Sequence, residues 1–556
     1  MIKTQKEADI KQRVRSSYGE NRQVDSVPEG APCACCDNGT FIGKNHEGIA
    51  AFRGIPFAKA PVGELRWKRP EAPAPAGGFF EAYYNGRSPI QSEWRTEAAS
   101  YYPQGEDCLY LNLWMNTEDD STDKTVMVFF HGGAYGWGGT ADPLYDGENF
   151  VRAQKDIILV TAAYRTGLMG FVDFSIVPGG DAFPDAPNLG ILDQIEALRW
   201  VQRNIRAFGG NPDNVTVFGE SAGGGSVSLL PVIDEAKGLF RRIIAQSGSV
   251  TLSSSKKECE DFTKRFMKAA RASKMDDLLA LSEEDLKEVN EEINYYNNFP
   301  QRDGRLIPED PFVPYSEGRT ADVDILVGTN KDETNYWIGE SGGLLLFILG
   351  GSIKFENNLM SLSPKDLARV RHFLKSRPGP KVWKISEFYT ELMFRVPAMK
   401  QVEEHAKNGG KAYLYYWTEP SALPHYGACH AVELAYVFGN LDETIYTGTR
   451  GNEALARLVQ GFWADFARTG KPGNEVFDWP CYTPESKKTM VLNSTDPGIH
   501  PPVKESQRKF LEPLLDYWID PTNTQLSMNV PFVRKLIGGC VTVLGMMAWL
   551  AYKTRK

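Results

Sequence analysis

The sequence predicts an α/β fold in which helices cover both faces of a central, mostly parallel sheet. Short apolar runs typical of buried strands recur along the chain, and segments with helical periodicity separate them. No fixed-period repeat indicates a solenoid or a propeller. The composition agrees, because 42% hydrophobic and 24% charged residues are ordinary for a globular protein with a sizeable core.

The predicted elements alternate in the order that a parallel sheet requires. Apolar runs predict buried strands at 124–132, 156–163, 214–219, 243–246, 323–328 and 412–417. Helical spacing of apolar residues, or a helix-compatible composition, predicts helices at 190–208, 226–230, 261–298, 363–375 and 504–519. The charged helical stretches 261–298 and 363–375 are predicted to be insertions that cover the active site at one end of the sheet.

The two ends of the chain differ from its middle. Residues 1–29 are polar, carry no signal-like apolar stretch, and are predicted to be a disordered or loosely docked extension of a domain over 30–519. A polar linker at 520–535 leads to an uncharged apolar run at 536–552 with basic flanks. We expect this run to anchor a cytoplasmic catalytic domain to a membrane, the alternative being a buried terminal helix.

Net charge and cysteine spacing argue against two kinds of ligand, a nucleic acid and a metal ion. A net charge of −9 argues against a nucleic-acid ligand. The eight cysteines form no dense framework, which favours a reducing compartment. The cluster Cys33-Ala34-Cys35-Cys36 has no second cysteine or histidine pair at the spacing of a zinc site. We therefore predict no metal site, although the role of the cluster stays open.

The most specific local motif is Gly219-Glu220-Ser221-Ala222-Gly223, which fits the pattern G-x-S-x-G. It follows an apolar strand and precedes a helix-compatible run. A sharp strand-to-helix turn needs small residues beside its central serine, and it exposes the hydroxyl above the sheet. Ser221 is therefore the predicted nucleophile.

The glycine-rich turn His131-Gly132-Gly133-Ala134 follows another predicted strand. Such a turn lets backbone N–H groups approach a substrate oxygen, as an oxyanion hole requires. The neighbouring Tyr135 and Trp137 are candidate substrate-binding residues because of their position alone.

A serine nucleophile needs a histidine base, and the base needs a carboxylate that orients it. The helical stretches that contain His372 and His405 are charged, so these histidines are expected at the solvated surface. His425 and His430 both follow the strand at 412–417. Candidate acids are Asp332 and Glu333, after the strand at 323–328. Spacing alone does not choose within either pair.

Together these residues resemble the type-B carboxylesterases, the family that also contains cholinesterases and bacterial para-nitrobenzyl esterases. The resemblance covers 37–519 and implies the α/β-hydrolase fold. Its marks are AFRGIPFAKAPVGELRWKRP, EDCLYLNLW, HGGAYGWG, NLGILDQ, FGGNPDNVTVFGESAGG, GTNKDETNYW and HAVELAYVFGN.

The resemblance assigns the ambiguous positions. It implies Glu333 as the acid, His430 as the base, and the N–H groups of Gly133, Ala134 and Ala222 as the oxyanion hole. It also implies two structural salt bridges, Arg53 with Glu106 and Arg165 with Asp193. In secreted members the cysteine of the EDCLYLN segment forms a disulfide with a cysteine earlier in the chain. This sequence has no cysteine at that place to pair with Cys108.

The implied activity is hydrolysis of small to medium carboxylic esters through an acyl-enzyme, with a small-molecule substrate and no cofactor. Two alternatives stay open. A lipase at a membrane surface would use the apolar run at 536–552, and an interaction protein on the same fold would have lost its catalytic residues.

Overall fold

The computed structural model describes residues 2–91, 102–293, 299–340, 355–356, 358–473, 477–501 and 503–517. Its strands form two sheets. They are β1 (Gln23–Val24), β2 (Cys33–Cys36), β3 (Gly39–Ile42), β4 (Lys44–His46), β5 (Ile49–Pro56), β6 (Phe79–Glu81), β7 (Tyr110–Asn116), β8 (Lys124–Phe130), β9 (Ile157–Ala162), β10 (Gly210–Glu220), β11 (Arg242–Gln246), β12 (Asp324–Asn330), β13 (Ala412–Trp417), β14 (Thr489–Leu492) and β15 (Gly498–His500).

The large sheet runs in the order β15-β14-β13-β12-β11-β10-β8-β9-β7-β5-β4. From β9 to β14 each neighbouring pair is parallel, whereas the pairs at both ends are antiparallel. Each strand that the sequence predicted lies in the parallel part. A smaller sheet, in the order β1-β6-β3-β2, is formed by residues near the amino terminus. The predicted fold class is confirmed.

Helices cover the sheet. They are α1 (Ile2–Ser16), α2 (Glu148–Ala153), α3 (Gly167–Gly170), α4 (Leu189–Asn204), α5 (Ala222–Leu229), α6 (Lys256–Ala269), α7 (Met275–Leu279), α8 (Glu283–Ile293), α9 (Phe312–Ser316), α10 (Asn335–Glu340), α11 (Pro364–Ser376), α12 (Lys381–Tyr389), α13 (Val396–Lys407), α14 (Leu434–Phe438), α15 (Glu453–Thr469) and α16 (Glu505–Leu511). A π-helical turn, Thr390–Arg395, joins α12 to α13.

The core lies on both faces of the sheet, as the alternation of side chains along β8 shows. Val126, Val128 and Phe130 belong to one apolar cluster, and Met127 and Phe129 belong to the other. Every residue of β8 is buried. Burial on both faces explains why the parallel strands are continuous apolar runs in the sequence.

Two surface expectations differ from the structure. Residues Ile2–Ser16 of the predicted extension form a helix, whose Val14 is fully buried and whose Arg13 pairs with Glu443. His372 is exposed, but the expectation for His405 was wrong, because it is buried and its Nδ1 lies 2.9 Å from Thr320 Oγ1. Burial lowers the pKa of His405 to about 4, so the ring is neutral at neutral pH.

The linker at 520–535 and the apolar run at 536–552 lie outside the described residues. Within the described part of the chain, no helix has both the length and the apolarity needed to span a membrane.

Candidate active site

Ser221 lies on a strained turn between β10 and α5. Its backbone adopts φ 57° and ψ −119°, a conformation that residues other than glycine rarely take. The flanking glycines permit this turn. A Cβ on Gly223 would lie 1.9 Å from the Phe130 carbonyl oxygen, and one on Gly219 would lie 2.5 Å from the Gly223 carbonyl carbon. The motif thus requires glycine on both sides because the backbone of β8 and α5 is too close for a side chain.

His430 connects Ser221 to Glu333. Its Nε2 lies 2.7 Å from Ser221 Oγ, and its Nδ1 lies 2.7 Å from Glu333 Oε2. A carboxylate only accepts hydrogen bonds, so Nδ1 carries a proton and Nε2 of the neutral ring accepts the serine proton. The structure therefore brings together the three residues that the resemblance selected, from the ends of β10 and β12 and the loop after β13.

The position of Glu333 is fixed by burial and by hydrogen bonds. Its side chain is fully buried, and its Oε1 accepts the N–H of Asn330 at 2.6 Å. The Glu333 carbonyl oxygen also accepts the N–H of His430 at 3.1 Å. The other acid and the other histidine that spacing allowed do not contact Ser221. Asp332 accepts a hydrogen bond from the N–H of Ala428 at 3.0 Å, and His425 is exposed beside Trp383.

A second carboxylate approaches His430 from the serine side. Glu220 is buried, and its Oε1 lies 3.2 Å from His430 Nε2. Burial by itself lowers the pKa of His430, but the charge of Glu220 and the hydrogen bond to Glu333 outweigh it and raise that pKa to about 9. The pocket thus stabilises a protonated imidazole, the species that forms when histidine removes the serine proton.

Two aromatic side chains pack against the histidine ring. The Trp337 ring is stacked with its centroid 5.3 Å from that of His430, and the Phe394 ring centroid lies at 4.9 Å. Phe394 is in the π-helical turn, whose extra residue per turn changes the direction of the side chains that follow. These contacts restrict the orientation of the imidazole.

The turn after β8 lies beside the nucleophile. An ideal Cβ on Gly132 would lie 3.1 Å from Ser221 Cβ. Gly133 and Ala134 have φ values of 101° and 49°. In the described ranges no protein group accepts a hydrogen bond from the N–H of Gly133, Ala134 or Ala222. These three donors are therefore available to an oxygen atom bound next to Ser221.

The two candidate substrate-binding residues are placed differently. Tyr135 is fully buried, and its ring packs on Phe171 and Phe299 with centroids at 5.1 and 5.6 Å. Its hydroxyl lies 3.4 Å from Ser226 Oγ. Tyr135 thus lies in the core beneath the turn, whereas Trp137 is partly exposed beside it.

One of the two implied salt bridges is present, and the other has a different arginine. The guanidinium of Arg165 is fully buried and binds both oxygens of Asp193, at 2.9 and 2.7 Å. Glu106 pairs with Arg66 at 2.5 and 2.7 Å. The expected Arg53 partner was wrong, because Arg53 binds Asp146 at 2.8 Å. Both arginines lie in one family segment, so sequence position alone did not separate them.

Sequence reasoning missed three contacts of the histidine. Glu220 was treated only as the variable residue of the G-x-S-x-G motif, and neither Trp337 nor Phe394 was singled out. The contact of Glu220 had a signal, because the residue before a nucleophile at a strand end lies near the catalytic groups. The contact of Phe394 had none, since a π-helical turn has no distinctive residue pattern.

No group of three or more histidine, cysteine, aspartate or glutamate side chains in the described segments is arranged to hold a metal ion.

The sequence model of the carboxylesterase family matches residues 32–511. The para-nitrobenzyl esterase of Bacillus subtilis is 33% identical over an alignment of 499 residues that covers 85% of this chain and 96% of that protein. The cholinesterase of Mus musculus is 30% identical over an alignment of 544 residues that covers 87% of each chain. Among solved structures, carboxylesterase EST55 of Geobacillus stearothermophilus superposes with a TM-score of 0.74 at 32% identity, over 86% of this chain and 99% of that one.

A thermophilic PNB esterase superposes with a TM-score of 0.75 at 30% identity, over 86% of this chain and 100% of that one. The match of a family model to most of the chain agrees with these whole-length similarities in sequence and structure. The chain therefore belongs to the carboxylesterase family and is an enzyme that hydrolyses carboxylic esters.

Proposed function

We propose that the enzyme hydrolyses small to medium carboxylic esters through a covalent acyl-enzyme on Ser221. The observation that supports this most directly is the unbroken hydrogen-bonded series from Ser221 Oγ through His430 to Glu333, with both distances at 2.7 Å. A nucleophile, a base and an orienting carboxylate at these distances are what acyl transfer requires.

Acylation begins when His430 Nε2 takes the proton of Ser221 and Oγ attacks the ester carbonyl carbon. The carbonyl oxygen becomes an oxyanion and is bound by the N–H groups of Gly133, Ala134 and Ala222. Loss of one such donor typically costs about 3–4 kcal/mol of transition-state stabilisation. The imidazolium is stabilised by Glu333 and by Glu220. It then protonates the leaving alkoxide, and the acyl group remains on Ser221.

Deacylation repeats these steps with water as the nucleophile. His430 removes a proton from the water, which attacks the acyl carbonyl carbon, and the same N–H groups bind the second oxyanion. Collapse of this intermediate breaks the bond to Ser221 Oγ, and His430 returns the proton to the serine. The carboxylic acid leaves and the free enzyme is restored.

The test is hydrolysis of para-nitrophenyl esters from acetate to palmitate, with the Ser221→Ala protein as control. We expect turnover of the short and medium esters and essentially none in the variant. A folded wild-type protein that hydrolyses no ester, or a variant that retains comparable turnover, would overturn the proposal. The former result would favour the non-catalytic interaction protein.

The second candidate function is a lipase at a membrane surface, and the uncharged run at 536–552 is the observation that favours it. We propose from the sequence that this run associates with a membrane. The same ester series, extended by dispersed long-chain triglycerides, separates the candidates. A preference for the longest chains, and for dispersed triglycerides over soluble esters, would replace the esterase with the lipase.

A further inference from the structure

The Cys33-Ala34-Cys35-Cys36 segment has no part in the chemistry at Ser221. It forms β2, which pairs antiparallel with β3 at one end of the small sheet. Side chains along β2 alternate, so Cys33 and Cys35 are exposed whereas Ala34 and Cys36 are buried. Neither exposed cysteine is in a disulfide. Two thiols therefore lie next to each other on one solvent-facing side of a strand.

Their spacing disfavours a direct disulfide. Residues two apart on a strand are about 7 Å from each other, whereas a disulfide needs Cβ atoms about 3.5–4.5 Å apart. Cys35 and Cys36 are adjacent but face opposite sides of the strand. Burial raises the pKa of Cys36 to about 12, which keeps it a thiol in the core. The pair Cys33 and Cys35 is thus left as a dithiol.

A bridging ion suits this spacing better than a direct bond. Two metal–sulfur bonds of about 2.3 Å each separate the sulfurs by up to about 4.6 Å, which two side chains that lean together along a strand can reach. Because no third histidine, cysteine or acidic ligand joins them in the described ranges, the ion must accept two protein ligands. Thiolates select soft ions, of which Cu(I) tolerates low coordination.

We propose that Cys33 and Cys35 form a two-thiolate site for a soft metal ion of low coordination number, with Cu(I) as the ion that fits it best. On binding, each thiol releases a proton and forms one sulfur–copper bond. The copper stays Cu(I) throughout, so no oxidant or reductant is consumed.

The site is separate from the ester chemistry. The Asp37 N–H, directly after β2, donates a hydrogen bond of 2.8 Å to Asn204 Oδ1 at the end of α4. The chain then makes one turn and enters β10, and Ser221 follows the far end of that strand. The two thiols therefore lie near the opposite end of β10 from the nucleophile, and copper binding should leave ester hydrolysis unchanged.

The experiment is an anaerobic titration of the full chain with Cu(I) against the coloured chelator bicinchoninate. Wild-type protein should remove about one equivalent of copper from the chelator, as a two-thiolate site requires. Cys33→Ser and Cys35→Ser should each weaken copper binding by about tenfold or more, because one of only two ligands is lost. Cys481→Ser is the matched control, since Cys481 is also exposed but lies outside β2. It should bind copper like the wild type.

Three results would overturn the proposal: wild-type protein that leaves the copper on the chelator, equal losses in Cys481→Ser, or unchanged binding in either β2 variant. Ester hydrolysis by each variant, compared with the wild type, verifies that the protein is folded. Because that readout does not depend on copper, failure of the metal site and failure of the proposed esterase mechanism give different results.

Discussion

At the scale of single residues, the imidazole of His430 is fixed by groups of different kinds. Glu333 holds Nδ1, Ser221 lies at Nε2, and the rings of Trp337 and Phe394 pack against its faces. The hydrogen bonds select the tautomer, and the aromatic contacts limit rotation. Such preorganisation matters because the ring must accept a proton from one oxygen and deliver it to another without reorienting.

Glu333→Gln should lower kcat by about three to four orders of magnitude with a much smaller change in KM. The amide keeps the size of the side chain but loses the charge that stabilises the imidazolium and fixes the tautomer. Steady-state kinetics on a short para-nitrophenyl ester would measure this effect.

Asp332→Asn is the matched control, because Asp332 is the adjacent carboxylate and binds a backbone N–H of the same loop. It should retain kcat within about tenfold, as expected for a group that does not touch the reacting atoms. Equal losses in the two variants would mean that Glu333 acts through the loop rather than through the histidine.

Glu220→Gln should change the pH profile of kcat/KM. His430 acts as a base only when neutral, so activity rises with pH as the ring loses its proton. Its pKa of about 9 is raised by the carboxylates despite burial, so removal of the Glu220 charge should move the midpoint of this rise to lower pH. A midpoint that does not move would show that Glu220 leaves the charge state of His430 unaffected.

The candidate triad could be named from the sequence because its residue types are fixed by the chemistry and their order along the chain by the fold class. Physical reasoning alone stopped at two pairs, Asp332 or Glu333 and His425 or His430, and only the resemblance chose between them. The proximity of Phe394 to His430 was missed, because it depends on the distance between segments that are far apart in the chain, whereas that of Glu220 could have been expected from its position next to Ser221.

At the scale of elements, the nucleophile turn depends on how closely β8, β10 and α5 approach each other. Gly223→Ala should disrupt this packing, because the added carbon would overlap the Phe130 carbonyl oxygen at 1.9 Å. We expect a loss of unfolding free energy of more than about 2 kcal/mol, or failure to fold. Denaturant unfolding monitored by circular dichroism would measure it.

Gly461→Ala, in the middle of α15, is the contrasting substitution. Nothing lies within 4 Å of an added Cβ there, and alanine favours a helix over glycine. This variant should gain about 0.5–1 kcal/mol of unfolding free energy. A Gly223→Ala protein as stable as Gly461→Ala would contradict the close packing at the nucleophile turn.

Elements with strong apolar patterns were predicted, and those with weak patterns were not. The parallel strands are buried on both faces, so their sequences are continuous apolar runs. Helix α1 has a polar sequence, and among its residues 9–16 only Val14 is fully buried. One buried apolar residue does not distinguish such a helix from a solvated segment, which is why the sequence favoured a disordered or loosely docked extension for residues 1–29.

At the scale of the whole molecule, the parallel sheet is what assembles the site. Ser221, Glu333, His430 and the turn with Gly133 follow the carboxyl ends of different parallel strands, all of which end at one edge. The predicted domain over 30–519 is close to the family match at 32–511. The catalytic machinery thus depends on the whole sheet, and we expect no shorter piece of this domain to be active.

Removal of 520–556 should leave ester hydrolysis intact and should abolish the membrane association that we propose for the apolar run. The removed segment lies beyond the family match and contains the apolar run. Flotation of both proteins with phospholipid vesicles, with activity measured in each fraction, checks this prediction. If the full chain stays at the bottom of the gradient with the truncated one, the anchor assigned to 536–552 is wrong.

The covalent intermediate that we propose on Ser221 can be trapped chemically. The enzyme is treated with a fluorophosphonate ester, digested, and examined by mass spectrometry, with Ser221→Ala treated in parallel. We expect one adduct per chain, on the peptide that contains Ser221, loss of esterase activity in proportion to labelling, and no adduct in the variant. An adduct on another residue, or full labelling of Ser221 without loss of hydrolysis, would contradict it.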